Sequence, residues 1–348
     1  MMKKLVLPIH PRLASQKILR FLPNKRLRDV VERRYGLGFG GKKETLEAIG
    51  KSYGITRERV RQIEDDSLRR LRASHVAEAV EPLYTLLAKH LEEHGGVSEE
   101  RKLLNSVSDP KQHSYVSFLL TLANGFERRG EDSRFHPRWY TRSEALKLTE
   151  SIVEKTVSEL DGIKKPITGQ ELFAILRNHA KSALGQTPSP DTLDSLLGIS
   201  KLISQNPYGE FGLSYWPEIN PSGVRDKAYA VMAKTGEPLH FRAVASAIDK
   251  AGWSKRKAHP QTVHNELIKD PRFVLVGRGL YALKEWGYEP GTVADVVASV
   301  LKQSGKPLSK HEITKRVLEK RRVKENTILL NLQNKKRFKK SGDGYMPT

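Results

Sequence analysis

Residues 45–72 read Thr45-Leu-Glu-Ala-Ile-Gly-Lys-Ser-Tyr-Gly-Ile-Thr-Arg-Glu-Arg-Val-Arg-Gln-Ile-Glu-Asp-Asp-Ser-Leu-Arg-Arg-Leu-Arg72. Gly54 predicts a tight turn between a short helix and a longer, arginine-rich one. Thr56 can cap the second helix by accepting a backbone N–H in its first turn. The residues that recur at helical spacing and predict a buried stripe are Val60, Ile63, Leu68 and Leu71. This order predicts a helix-turn-helix, whose second helix enters the DNA major groove.

The face of the second helix opposite this apolar stripe is polar and charged. The side chains on it or beside it are Arg57, Glu58, Arg61, Gln62, Asp65, Arg69 and Arg72. In a major groove, arginine pairs with guanine, glutamine pairs with adenine, and glutamate accepts a hydrogen bond from the amino group of cytosine. The face therefore carries side chains that suit base edges.

About 45 residues, from Arg28-Asp-Val-Val-Glu-Arg-Arg-Tyr-Gly36 through Arg72, resemble region four of the primary sigma-seventy family of bacterial transcription factors. The resemblance implies that Arg57, Glu58 and Gln62 read the bases of a −35-type promoter element. It also implies a set of DNA-backbone contacts, namely Lys42, Lys43, Thr45, Thr56, Arg59, Arg61 and Arg69. In that family the module docks on the flap of the RNA polymerase β subunit, a role that Leu27 to Leu37 could serve.

The chain also departs from that family. Only about 27 residues precede the match, and the strand-opening segments of sigma factors are not recognisable, so we expect this chain not to be a complete initiation factor. Asp65 and Asp66 add negative charge where the family more often has alanine and lysine, which indicates weaker attraction for phosphates.

Composition points to a polyanionic partner. The chain has 348 residues, a formal net charge of +21 and a pI near 9.9, and its length suggests two to four domains. Lys and Arg exceed Asp and Glu by 11 in residues 1–75, by 6 in residues 221–288 and by 8 in residues 289–348, whereas acidic residues exceed basic ones by 4 in residues 76–220. There is no cysteine, and no apolar stretch approaches the ~20 residues that span a bilayer. We expect double-stranded DNA as partner, no membrane association, and a cytoplasmic, nucleoid-bound location.

An internal repeat begins near residue 150. Each copy predicts an apolar helix, a proline-led second helix, a threonine-led third helix and a short glycine-containing hairpin, which is the order of a winged helix. The prolines are Pro166, Pro238 and Pro307, and the threonines are Thr192, Thr262 and Thr327. The middle copy, Tyr229 to Trp286, resembles the HARE-type winged helix, a family that includes the delta subunit of bacterial RNA polymerase. The residues on which this resemblance rests are Gly236-Glu-Pro-Leu-His-Phe-Arg242, Thr262-Val-His-Asn-Glu-Leu267 and Phe273-Val-Leu-Val-Gly-Arg-Gly-Leu-Tyr-Ala-Leu283.

These patterns predict a mainly α protein with five parts. They are a sigma-type helix-turn-helix at 1–75, a helical spacer at 76–149, and three tandem winged-helix (α+β) modules at 150–219, 220–288 and 289–348. Basic side chains on the wings are possible DNA contacts, namely Arg278, Lys335, Lys336, Arg337, Lys339 and Lys340. The alternative for the C-terminal basic run is a solvated surface.

Two short motifs suggest other chemistry but lack its context. Gly36-Leu-Gly-Phe-Gly-Gly41 fits a dinucleotide fingerprint, yet the fingerprint follows a strand and here a helix precedes it. His90-Leu-Glu-Glu-His94 fits a zinc-peptidase pattern, but no third ligand is evident. We find no nucleophile, base and orienting set, and therefore expect no enzymatic activity, no cofactor and no metal site.

The sequence thus predicts a sigma-like, sequence-specific DNA-binding transcription factor that also contacts RNA polymerase. One alternative is a polymerase-associated adaptor that acts through protein contacts. Another is the DNA-specificity component of a restriction or mobile-element system, since HARE-type modules also occur there.

Overall fold

The computed structural model describes residues 5–38, 41–73, 78–254, 256–288, 291–320 and 323–348. Its contacts divide the chain into two compact units. The first comprises residues 1–165 and 169–203, and the second comprises residues 166–168 and 204–348. Among the described residues, no helix combines the length and the apolar character needed to cross a membrane.

The first unit opens with four helices. They are α1 (Pro11–Leu19), α2 (Lys25–Tyr35), α3 (Leu46–Tyr53) and α4 (Arg57–Leu71). Side-chain oxygens cap three of them: Asn24 accepts from Leu27 N, Thr45 from Ala48 N, and Thr56 from Arg59 N, at 2.9, 3.1 and 3.2 Å. The predicted helix-turn-helix and its Thr56 cap are confirmed.

Glycine is required at two positions of the helix-turn-helix, one inside α3 and one in the turn that follows it. Gly54 ends α3 with a φ of 63°, a left-handed conformation that favours glycine. Gly50 lies where α3 touches the start of α4, and a Cβ built there would be 2.7 Å from the carbonyl oxygen of Ile55. The angle between the two helices therefore depends on a residue without a side chain.

We expect Gly50→Ala to destabilise the helix-turn-helix by about 1–3 kcal/mol, because a backbone atom cannot move away from the added methyl group as a flexible side chain could. Urea unfolding followed by hydrogen exchange of peptides from α3 and α4 measures this. Gly38→Ala is the control, since a Cβ there meets nothing within 4 Å. Equal effects from the two substitutions would contradict the expectation.

Two apolar clusters hold the four helices. A small one inside the helix-turn-helix contains Val30, Ile49, Val60 and Ile63, all buried. A larger one joins Leu68 and Leu71 at the end of α4 to α1 and to the helices that follow. The predicted apolar stripe of α4 is confirmed, and it serves two separate cores.

Residues 78–142, inside the predicted spacer, are only partly helical. Their helices are α5 (Glu81–Glu93), α6 (Glu100–Val107) and α7 (His113–Leu122), and their strands are β1 (Val97–Glu99), β2 (Glu127–Arg129) and β3 (Arg138–Tyr140). The sheet is antiparallel with β3 in the middle. Helix, strand, helix, helix, hairpin is the order of a winged helix. The helices of the predicted spacer are present, but its three strands were not predicted, because strands of three residues are too short to show alternating polarity.

Three further helices complete the first unit, namely α8 (Ser143–Ile163), α9 (Gly169–Leu184) and α10 (Pro190–Ile199). The predicted boundary at 149/150 falls inside α8, because one buried face with Leu146, Ile152 and Leu160 continues across it. The predicted boundary at 75/76 lies outside the described residues, as does residue 289 at the predicted boundary 288/289. Strand β4 (Ile203–Gln205) starts at the end of the unit and pairs with β5 (Phe211–Leu213).

The second unit contains the two C-terminal modules. The first has helices α11 (Val224–Thr235), α12 (Phe241–Ala251) and α13 (Pro260–Lys269), and strands β6 (Leu239–His240), β7 (Phe273–Gly277) and β8 (Leu280–Leu283). Its strand order, β6-β8-β7, matches that of β1-β3-β2. The last module has α14 (Val293–Ser304), α15 (Lys310–Lys320), α16 (Glu325–Leu332), β9 (Phe338–Ser341) and β10 (Gly344–Pro347). The mainly α class with winged-helix modules is confirmed.

Candidate nucleic-acid interface

The three predicted base readers share the exposed side of α4. Arg57 and Glu58 lie in its first turn and Gln62 one turn later, all exposed, while Val60 and Ile63 point into the core. We call Arg57, Glu58 and Gln62 the recognition face. Recognition helices present their N-terminal residues to base edges, so this is the placement that a reader of the major groove requires.

Ion pairs within α4 neutralise most of the charge beside this face. Arg61 lies 2.7 Å from Glu58 and 2.6 Å from Asp65, and Arg59 donates to Gln62 Oε1 at 3.0 Å. Hydrogen bonds from Arg61 hold the pKa of Glu58 below its ordinary value, so that it is an ionised acceptor at neutral pH. Contact between these side chains and DNA would require them to exchange these partners.

Asp66 forms a second cluster of ion pairs on α4. It pairs with Arg69 and, at 2.8 Å, with Arg70. Arg69 remains highly exposed, so a phosphate can compete for its guanidinium. Arg57, the cation of the recognition face, is exposed and has no ion pair within the described ranges.

The loop before α3 carries the other predicted backbone contacts. Lys42 and Lys43 are exposed, whereas the hydroxyls of Thr45 and Thr56 are occupied as helix caps. The two threonines therefore act by fixing helix N-termini, whose free N–H groups favour phosphate.

Two arginines that the sequence reading did not single out hold this loop in place. Arg33 binds the Glu44 carboxylate through two hydrogen bonds, at 2.9 and 2.7 Å. Arg34 donates to the backbone oxygen of Glu44 at 2.7 Å and pairs with the buried Glu64 of α4 at 3.0 Å. Arg33 lowers the pKa of the Glu44 carboxyl. Residue type alone does not distinguish an arginine that holds a loop from one that contacts DNA.

The segment predicted to dock on polymerase, Leu27 to Leu37, is largely covered within the chain. Its Val31 and Leu37 are buried in the large cluster with α1 and α7. The rings of Tyr35 and Phe118 lie 5.1 Å apart, and Tyr115 donates to the carbonyl oxygen of Leu37 at 2.9 Å. The apolar face of α2 is thus occupied by the protein itself.

The third helices of the winged-helix modules differ in access. In the first unit, α7 lies in the core. A hydrogen bond of 2.6 Å from Ser195 Oγ to Val97 O holds α10 against β1, and an ion pair between Lys102 and Asp194 holds it against α6. In the second unit, α13 and α16 expose a face, with Leu330 of α16 64% exposed. Among the described third helices, those of the second unit therefore have the more exposed faces.

The predicted wing cations are exposed but do not share one element. Arg278 lies in the turn between β7 and β8, and Lys339 and Lys340 lie on β9. The turn that joins α16 to β9 holds Lys335, Lys336 and Arg337. Arg337 pairs with Asp295 at 2.6 Å, and Asp295 caps α14 together with Thr292. The assignment of all five C-terminal cations to the wing needs correction, because β9 begins only at Phe338.

The two short motifs serve the chain's own structure where it is described. His90 hydrogen-bonds to Ser106, and His94 Nδ1 lies 2.6 Å from the carbonyl oxygen of His90. Across the described part of the chain, no group of three His, Asp or Glu side chains is arranged to hold a metal ion. The glycine-rich loop follows α2, not a strand, and its residues 39–40 lie outside the described ones.

Comparison with known proteins assigns two parts of the chain. Residues 24–73 match the family model "Sigma-70, region 4", and residues 224–286 match the HARE-HTH family model, whose description includes the "restriction endonuclease HTH domain". The second match falls on the module that resembles the HARE-type winged helix. Neither match covers half of the chain.

Sigma factors are the relatives of the N-terminal part. RNA polymerase sigma factor RpoS of Coxiella burnetii is 53% identical over 55 residues, which are 16% of this chain and 15% of that protein. SigA of a Nostoc species is 51% identical over 57 residues, which are 16% of this chain and 14% of that protein. The chain thus spans about one seventh of the length of these relatives. It contains a sigma-seventy region-four module and a HARE-type helix-turn-helix module, both of which are DNA-binding types.

Proposed function

We propose that this chain is a sequence-specific DNA-binding transcription factor that reads a −35-like promoter element and contacts RNA polymerase. The observation that supports it is the exposed recognition face on a capped helix, within a segment that matches region four of sigma factors. In this proposal Arg57 pairs with guanine, Gln62 with adenine, and Glu58 accepts from cytosine.

Phosphate contacts position the duplex around these three residues. We assign them to Lys42, Lys43, Arg59, Arg61 and Arg69, with the N-termini of α3 and α4 behind Thr45 and Thr56. Arg61 and Arg69 exchange a carboxylate of α4 for a phosphate, so each contributes less than a free cation would.

The two modules of the second unit add DNA contacts at a distance along the chain. Arg278, Lys339 and Lys340 of their hairpins, with Lys335 and Lys336 of the preceding turn, face solvent and suit phosphates. Linkage of several weak sites raises the overall avidity without new contacts.

The test is selection of bound sequences from a random DNA pool with the full chain, with and without core polymerase. Enrichment of a −35-like element, with an affinity that falls steeply as salt rises, supports the proposal. If no sequence is enriched while polymerase still co-purifies, the chain is an adaptor. If a nuclease co-purifies in place of polymerase, it serves a restriction or mobile-element system.

Contact with the β flap through Leu27 to Leu37 requires the apolar face of α2, which α1 and α7 cover. We therefore assign flap docking to a minor state in which this face opens. Tyr115→Phe removes the hydrogen bond to Leu37, and a net loss of about 1 kcal/mol raises the open population about fivefold. We expect a similar rise in retention by immobilised core polymerase.

The control for this prediction is Tyr140→Phe, which removes a hydrogen bond to Glu127 elsewhere in the same unit. A gain that persists with core polymerase lacking the flap tip would show that another surface makes the contact.

A further inference from the structure

A cleft of about 720 Å³ lies in the first unit between the helix-turn-helix and the winged helix of residues 78–142. Four cationic side chains line it, two from each side. They are Lys43, Arg72, Arg101 and Arg128. The carboxylates at the cleft are those of Glu99 and Glu100, so cations outnumber carboxylates two to one. We call this the cationic cleft.

Both carboxylates are already bound. Glu99 caps α6 by accepting from the backbone N–H groups of Arg101 and Lys102, at 2.8 and 2.6 Å. Glu100 receives two hydrogen bonds from Arg128, at 2.9 and 2.7 Å. Arg128 therefore neutralises Glu100, while Glu99 keeps its charge against Lys43, Arg72 and Arg101, so the net charge of the cleft is positive.

Two of the four cations have open head groups. Within the described ranges, the side chains of Lys43 and Arg101 have no hydrogen bond and no ion pair, and both are exposed. Arg72 donates one bond, to the carbonyl oxygen of Thr121 at 2.9 Å, and keeps its other donors free. Among the described residues that line the cleft, these three cations face only the Glu99 carboxylate beyond the Glu100–Arg128 pair, and this excess of positive charge indicates an anion that the cleft takes from outside.

Titration does not change this charge near neutral pH. Burial, and then the nearby Arg101, lower the pKa of His113, which also lines the cleft, so its imidazole is neutral at pH 7. Burial raises the pKa of Glu100, but Arg128 and Lys43 outweigh it, and that carboxyl stays ionised.

The cleft lies beside the C-terminal end of α4, and this position indicates which anion it binds. Helix α4 has 15 residues and is roughly 22 Å long, whereas the major groove is about 12 Å wide. With the recognition face at the N-terminal end in the groove, the C-terminal end must pass over the flanking phosphates. Arg72 is the residue at that end, and it lines the cleft.

We propose that the cationic cleft is an extension of the DNA interface, in which Arg101 of the second module, with Lys43 and Arg72, holds phosphates that flank the element read by α4. This rests on the proposed function. The ligand is the phosphodiester backbone of duplex DNA, so the cleft adds affinity and footprint length but no base preference.

The experiment measures the dissociation constant of the full chain for a duplex carrying its selected element, from 50 to 200 mM KCl. Arg101→Ala is expected to reduce the slope of log K against log salt by about 0.9, since one phosphate contact is lost. The loss of affinity relative to the wild type is therefore about 3.5-fold larger at 50 mM KCl than at 200 mM KCl. Arg101→Lys keeps most of the slope, and the preferred sequence stays the same.

Lys89→Ala is the matched control, because Lys89 is an exposed cation of α5 in the same module but outside the cleft. If the wild type reads its element but Arg101→Ala and Lys89→Ala have the same salt slope, this inference is overturned and the proposed function stands. A wild type without sequence preference or salt dependence overturns the proposed function itself. If inorganic phosphate or ATP stabilises the wild type and not Arg101→Ala, while DNA binding is unaffected, the cleft is a small-anion site and the inference is wrong.

Discussion

Arg57→Ala and Gln62→Ala are each expected to lower discrimination between the selected element and a single-base variant by about 1–3 kcal/mol, a factor of roughly 5 to 150 in the ratio of dissociation constants. Each substitution removes a side chain able to make two hydrogen bonds to a base edge. Gln62 loses its bond from Arg59 as well, so the arginine is free to contact a phosphate. Competition binding against variant duplexes at fixed salt measures the loss.

Arg69→Ala is the matched control for these two substitutions. It removes an exposed cation of the same helix that we assign to phosphate, so affinity should fall about equally for every sequence. If Arg57→Ala and Gln62→Ala behave like Arg69→Ala, with uniform loss and intact preference, the recognition face does not read bases.

Arg138→Ala is expected to destabilise the first unit by about 3–5 kcal/mol. Arg138 is fully buried on β3, where it pairs with Glu150 of α8 and, at 3.2 Å, with Asp132 of the loop after β2. Its guanidinium also lies 4.8 Å from the ring centroid of Phe135. Removal leaves Glu150, only 15% exposed, without its main partner, and uncompensated buried charge is costly.

Urea unfolding with hydrogen exchange of peptides from residues 127–160 measures this loss. Arg134→Ala is the matched control, because Arg134 pairs with Glu154 of the same helix α8 while it is 57% exposed. An exposed pair contributes about 0–1 kcal/mol. If both variants lose the same free energy of unfolding, burial of the Arg138 network does not set its contribution.

The helix-turn-helix is the part that could be predicted in most detail. Thr45, Gly54 and Thr56 fix where its helices begin and end through bonds to backbone atoms a few residues away. Local signals of this kind are written in consecutive residues, so they can be read without knowing the rest of the fold. In the three later modules each second helix begins three residues after its proline, whereas each third helix begins two residues before the threonine that was predicted to start it.

The winged helix in residues 78–142 could not be predicted in this way. Its strands have three residues each, and β3 pairs not only with β2 but also with β1, about 40 positions earlier in the chain. Its third helix, α7, is apolar on most sides because it is buried between other elements, which hides the helical period. The cationic cleft depends on the same packing, since Lys43 and Arg101 are 58 positions apart.

By itself, the sequence determined the capped helix-turn-helix, the recognition face and the repeated modules, because each depends on contacts between near neighbours in the chain. Only the tertiary structure decided which of these surfaces are free. It buried the apolar face of α2 and the third helices α7 and α10, left α13 and α16 exposed, and brought cations of two modules to one cleft. Exposure depends on what the rest of the chain covers, and no local pattern contains that information.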